Sequence, residues 1–336
     1  MLYFVPAWYK ENAWIENEQQ WYMRRMKSEF DETIKQITLF HRNVDVKYRI
    51  VLLGYSPNFR HFSHRQGMYR SPYWSCFDAI QEIKRTKVDI LSYRDLMWPE
   101  YTEFVYTPFC IVAYVHNEKY AEIHFGEDGN MIEVFLFQSE VMVRKNVYDD
   151  RGFLSTTIVY ENNQPIYEQY LDEKGNWKLL HFFEDDHIEI NSENPYYLIG
   201  NKRFTFQSLN YDSMESLIEE VFSTYLDEMT EKSDIFCLAM HTLHHDLLES
   251  LFTQRKTILS FYQNRMELFE DAELKSLIRS TNYCIVDSKH KIRPLEKYAG
   301  KTLPIVDITP FDTRVDFGIS QQLTVQNILV PIDSIE

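Results

Sequence analysis

The chain has 336 residues, with 51 acidic against 35 basic side chains and a formal net charge of −16. That balance argues against a duplex nucleic-acid binder, which neutralises phosphate with clustered Lys and Arg, and against simple electrostatic adhesion to anionic lipid. The length and the 44% hydrophobic content allow two or three domains, each with a core.

The first apolar run, Leu2 to Val5, stops at Pro6 and passes to Trp8 and Tyr9. In an α/β sheet this first strand end is often a glycine-rich phosphate loop, and here it contains no glycine. Met23, Met26, Phe30, Ile34 and Ile37 follow steps of three and four, which predicts a helix with one apolar stripe. Strands are expected at Tyr48–Tyr55 and Val88–Tyr93, with a helix between them starting at Pro72 behind a Ser71 cap. Alternating strands and helices predict a parallel sheet.

From about Thr107 the texture becomes a series of short β-rich runs separated by turns. Gly129, Gly152 and Gly175 recur every 23 residues, each preceded by acidic or mixed-charge residues. Glycine supplies the positive φ of a hairpin turn, and the period fits one up-and-down hairpin per repeat. An antiparallel meander is therefore expected over residues 105–207, inserted into an α/β unit at 1–104 and 208–325. The α/β pattern resumes with an acidic helix at Asp212–Lys232, strands at Asp234–Met240 and Lys256–Tyr262, and further helices and strands up to "LPIVDI". Residues 326–336 read as the start of a second domain, cut short.

Cys76, Cys110, Cys237 and Cys284 form no CxxC pair and read as small buried hydrophobes in a reducing compartment. No signal peptide or membrane-length apolar run is apparent, so a cytosolic protein is expected. GxSxG, GxxxxGK[ST] and GxGxxG are all missing, and nine glycines leave little room for a nucleotide-phosphate cradle. No cofactor is expected.

Ligands of a doubly wound sheet bind beyond the carboxyl ends of its strands. The positional candidates are Trp8, Tyr9, residues 55–60, Arg94, Asp95, His241, Arg265 and Asp287. "MHTLHHD" adds His244 and His245, which helical spacing would bring near His241. Without HExxH or a nearby cysteine, packing or a polar cleft contact is favoured there over metal.

"FVPAWY", the meander with "IYEQYLDEKGNWKLL", and the return through "IFCLAMHTLHH" together resemble the accessory Sec systems of Gram-positive cocci, specifically their GT-B-like first accessory secretory proteins. The resemblance implies an α/β, GT-B-like Rossmann half with an inserted β domain, and a second half absent from this chain. It implies a non-catalytic protein that assembles with the two other accessory secretory proteins of its complex. The complex would modify a serine-rich-repeat adhesin precursor and pass it to the accessory SecA ATPase, at the inner face of the membrane. Trp8, Tyr9, His241, His244, Arg265 and Asp287 would line a ligand or partner cleft. The alternative is an active retaining glycosyltransferase that adds N-acetylglucosamine to the adhesin, with His241 contacting sugar.

Overall fold

The computed structural model describes residues 1–308 except 11–12, 17–31, 42–45, 245–246, 248–251, 253–254, 264, 267 and 269–271. Met23, Met26 and Phe30 of the expected apolar stripe, His245, and the expected domain start at 326–336 lie outside the described residues. Ile34 and Ile37 are buried on the Glu32–His41 helix, as their spacing requires.

A seven-stranded, all-parallel sheet forms one layer. Its spatial order is Ile305–Asp307, Tyr283–Val286, Lys256–Phe261, Ile235–Ala239, Leu2–Val5, Tyr48–Leu52 and Tyr73–Ser75. The chain starts in the middle, runs out to one edge, returns and runs to the other. The order therefore reverses between Leu2–Val5 and Ile235–Ala239, the topological switch point of a doubly wound fold. Met214–Met229 makes the crossover back to the centre. It is capped by Ser213, whose hydroxyl accepts from the Ser216 N–H (3.3 Å), and it buries Leu217, Val221, Phe222 and Tyr225 against the sheet.

The third strand differs from the expected one. Val88–Tyr93 forms no strand; it belongs to a loop ending in a short 3-10 turn, Tyr93–Asp95, capped by Ser92. Tyr73–Ser75 takes the edge position instead, and Ser75 rather than Ser71 caps the helix that follows, Cys76–Ile80. Arg94 and Asp95 consequently lie at no strand end of this sheet. The physical reason is burial: Ile90 is exposed in the loop, whereas Ser75 and the Cys76–Phe77 pair are buried. A strand of three residues is too short for periodicity to reveal.

The meander forms a second sheet of ten antiparallel strands, from Thr102–Tyr106 at one edge to Asn210–Tyr211 at the other. Gly129, Gly152 and Gly175 adopt φ of 78°, 92° and 84°, as their turns require. The opposite ends of the same hairpins are two-residue turns at His116-Asn117, Ser139-Glu140 and Asn162-Asn163, and both residues of each have positive φ. These turns repeat at 23 residues as well.

The glycine ends are where the meander docks on the α/β unit. Asp128 pairs with Arg65 (2.9 Å), and Asp150 accepts the backbone N–H groups of Arg60 (2.9 Å) and His61 (3.2 Å). Arg151 bridges Asp149 and Asp78 through bonds of 2.7–2.8 Å. Glu173 accepts from the Arg85 N–H (2.6 Å). A Cβ on Gly152 would lie 1.8 Å from the Asp89 carbonyl oxygen, so this tip admits no side chain. Deeper in the seam, Gln81 donates to the carbonyls of Ser155 (3.0 Å) and Leu171 (2.8 Å). The Lys178 ammonium, on a fully buried side chain, is satisfied by Glu82 (2.8 Å) and the carbonyls of Asn194 (3.1 Å) and Tyr196 (2.7 Å).

Candidate functional site

The two strands flanking the switch point deliver their carboxyl ends to one place. After Leu2–Val5 the chain makes a small antiparallel hairpin, Tyr9–Lys10 against Ala13–Glu16, which carries Tyr9 and Trp14. The Tyr55 N–H donates to the Trp14 carbonyl (2.7 Å) and holds this hairpin beside the end of Tyr48–Leu52. After Ile235–Ala239 the chain makes a 3-10 turn, Thr242–His244, flanked by His241.

The hairpin and the turn interlock through their side chains. The Tyr9 ring meets His241 and His244 edge-on, each at 5.3 Å, and Trp14 at 5.2 Å; Trp14 stacks on His244 at 6.0 Å. His244 is fully buried, and its Nδ1 lies 2.8 Å from the Ala239 carbonyl, which can only accept. Nδ1 therefore carries the proton, and Nε2 accepts from the Tyr9 hydroxyl at 2.7 Å. Gly54 makes the packing feasible: a Cβ there would come within 2.8 Å of Tyr9 Cε1 and 3.3 Å of the Trp14 carbonyl carbon.

His241 is 7% exposed. Its Nδ1 accepts the Leu243 N–H (3.1 Å), which fixes the proton on Nε2. Burial, with the Arg265 guanidinium close by, holds its pKa down at about 4. His244 is held at about 3, chiefly by burial, then by its neighbours His241 and Arg265, against the opposing Ala239 bond. Both imidazoles are neutral at physiological pH. Burial pushes the Tyr9 phenol well above its usual range, so it stays a donor.

Arg265 pairs with Glu32 at the start of its helix, and Glu32 also accepts from Ser260 (3.1 Å). The Arg265 carbonyl accepts from the Thr242 N–H (3.2 Å), which ties the arginine to the histidine turn. Tyr9, His241, His244 and Arg265 thus cluster at the switch point. Trp8 turns away, packing on Phe62 (4.9 Å) and Phe59 (6.3 Å) in the core on the other face of the sheet. Asp287, two strands outward, pairs with Lys291 (2.9 Å) and accepts the Gln263 N–H (2.7 Å). Residues 55–60 serve the seam: Tyr55 packs on Tyr170 (5.3 Å), and Arg60 gives its N–H to Asp150.

Sequence reasoning missed Trp14, Gly54 and Glu32. Gly54 carries a legible signal, because it is the first glycine in the chain and follows a strand directly opposite the glycine-free loop. A cavity of about 720 Å³ opens elsewhere, beside the Tyr73–Ser75 edge strand. Of the cations lining it, Arg85 pairs with Asp89 and Arg151 with Asp78 and Asp149, so it is an extension of the docking seam.

A doubly wound sheet carrying a long meander between its third and fourth strands defines a GT-B-like half-molecule. The fold matches the pneumococcal O-GlcNAc transferase GtfA in complex with UDP and GlcNAc, with a TM-score of 0.60 at 12% identity over 92% of this chain and 60% of that one. The chain belongs to the accessory Sec system family of accessory secretory protein 1, whose sequence profile matches residues 1–336. It is 31% identical to the Streptococcus gordonii member over 99% of this chain and 63% of that protein. It also matches a chain in the crystal structure of accessory secretory protein 1, 2 and 3 from Streptococcus pneumoniae, with a TM-score of 0.84 and 30% identity over 96% of this chain and 64% of that one. The chain therefore spans 63% of the length of its Streptococcus gordonii relative. The resemblance read from the sequence and the GT-B-like fold class are both borne out. Among the described residues, no helix is long and apolar enough to cross a membrane.

Proposed function

We propose that this chain is part of a non-catalytic, GT-B-like component of an accessory Sec complex. It binds the two other accessory secretory proteins and helps present a serine-rich-repeat adhesin precursor for modification and transfer to the accessory SecA ATPase. The observation that supports the non-catalytic reading is the aromatic packing at the switch point. Tyr9 and Trp14 sit beyond the strand ends where a doubly wound sheet takes its ligand, and the Tyr9 hydroxyl satisfies His244 Nε2. The partner role draws support from the pneumococcal structure, in which the related chain is crystallised with accessory secretory proteins 2 and 3.

The Thr102–Tyr106 strand at the free edge of the ten-stranded sheet is our candidate for a partner contact. Val105 (48%), Tyr106 (61%) and the nearby Phe109 (56%) are exposed along it, and such edges invite pairing. Two assays on the full-length protein test the proposal. Co-purification with its two partners is expected, and glycosyl transfer from a UDP-sugar to an adhesin peptide is not. Failure to co-purify would refute the partner role. Transfer that vanishes on His241→Ala would establish the alternative, an active glycosyltransferase.

A further inference from the structure

Among the described residues, one group of side chains has the composition of a transition-metal site, and it lies in the meander, far from the switch point in sequence. Ile111 pairs with Ile123 in antiparallel register, which sets Cys110 opposite His124 on the neighbouring strand. Glu122 lies two residues before His124 and so points to the same face. The Cys110 sulfur, a His124 ring nitrogen and a Glu122 oxygen all lie within 4.8 Å of one another. His124 Nε2 and Glu122 Oε2 are 3.4 Å apart.

We propose that Cys110, Glu122 and His124 form a three-ligand site for Zn²⁺, with the fourth position open to water or a partner side chain. Thiolate, imidazole and carboxylate together suit a borderline-soft ion, and a tetrahedral zinc site sets its ligand atoms about 3.5 Å apart. The observed atoms lie within 4.8 Å of one another, so metal binding draws them together. Cys110 is also the one cysteine of four that is not buried, so ions can reach its sulfur. The surrounding charges pair off. Lys119 holds the other Glu122 oxygen, Oε1 (2.9 Å), leaving Oε2 toward His124. Glu133 lies opposite His124 on the far side and pairs with Lys145, so the local charge is balanced before the ion arrives. The Thr107 hydroxyl donates to the Cys110 carbonyl (2.6 Å) and accepts the Cys110 N–H (2.9 Å), which fixes the backbone that carries the thiol.

Binding replaces the Cys110 S–H proton with a metal–sulfur bond and releases that proton, so affinity rises with pH. The bound ion ties the Thr107–Cys110 loop to its neighbouring strand and stiffens the sheet edge. Sequence reading offered no hint of this, because the ligands combine a lone cysteine with an i, i+2 pair on another strand. Their grouping depends on register alone.

Cobalt supplies the test. The purified metal-free chain is titrated with Co²⁺, and a thiolate-to-cobalt charge-transfer band in the near ultraviolet is followed. We expect a saturable band that Zn²⁺ displaces, that Cys110→Ser abolishes, and whose Co²⁺ affinity falls at least about tenfold in Glu122→Gln and in His124→Gln. Cys76, Cys237 and Cys284 remain in every variant, and circular dichroism reports that each variant is folded. Absence of the band in the unaltered chain, or a band that survives Cys110→Ser, would overturn the proposal.

Discussion

The switch point and the meander seam both bury polar side chains, but they do so with opposite chemistry. At the switch point the buried groups are neutral: two imidazoles, a phenol and an indole, with each histidine proton placed by a backbone partner. At the seam they are ionic: Arg151 between two aspartates, Lys178 on Glu82, and Asp150 on a pair of backbone N–H groups. The neutral cluster packs the hairpin against the histidine turn. The ionic cluster fixes one sheet relative to another and specifies register through directional bonds. The difference follows from what each place must do, since a packed cluster is held by volume and a docking angle is set by geometry.

The largest expected effect comes from breaking the ionic side of this comparison. Arg151→Met leaves Asp149 buried without its cation, and the loss of stability should be about 3–5 kcal/mol, read from urea unfolding. The neutral side should respond to volume. Gly54→Val forces the Tyr9 ring aside and should cost about 1–3 kcal/mol, with loss of the Tyr9–His244 bond visible in the imidazole nitrogen resonances. Tyr9→Phe keeps the ring and removes the hydroxyl, leaving His244 Nε2 buried without a donor, for about 1–3 kcal/mol by the same unfolding measurement.

The smallest expected effect concerns pH, where the two regions oppose each other. The histidine pKa values fall on folding from the ordinary 6.5 to about 4 and about 3. The unfolded chain therefore binds more protons there, and that contribution to stability is lost as pH falls below 6.5. Burial, outweighing Arg151 and the backbone donors, raises Asp149 and Asp150 from 3.8 to about 6. Their contribution runs the other way, fully present below pH 3.8 and lost as pH rises through 6. The two partly cancel between pH 4 and 6. Asp150→Asn retains an acceptor for the Arg60 N–H and removes one opposing titration, so it should steepen the loss of stability on acidification in that window. An unchanged slope would remove Asp150 from the balance.

The seam was half legible in the sequence. Gly129, Gly152 and Gly175 announce the hairpins because only a turn with positive φ needs them at that spacing. The acidic residues beside them read as turn chemistry, and their second role, docking onto helix N–H groups and arginines, depends on a tertiary neighbour. The Tyr73–Ser75 strand escaped because three residues carry no period, while Val88–Tyr93 imitates a strand in a loop. At the switch point, Tyr9, His241, His244 and Arg265 were reachable from the rule that ligands lie beyond strand ends. That they pack against one another and against Trp14 was not, because Trp14 arrives on a hairpin with no turn glycine.

Under the proposed function, Tyr9 and Trp14 keep sugar nucleotide away from the switch point. The most direct measurement is the imidazole nitrogen spectrum of the full-length protein, histidine-labelled, titrated with UDP-N-acetylglucosamine. The His241 and His244 resonances are expected to stay fixed in the unaltered protein. A saturable shift of those resonances would show that sugar reaches the switch point and would contradict that function.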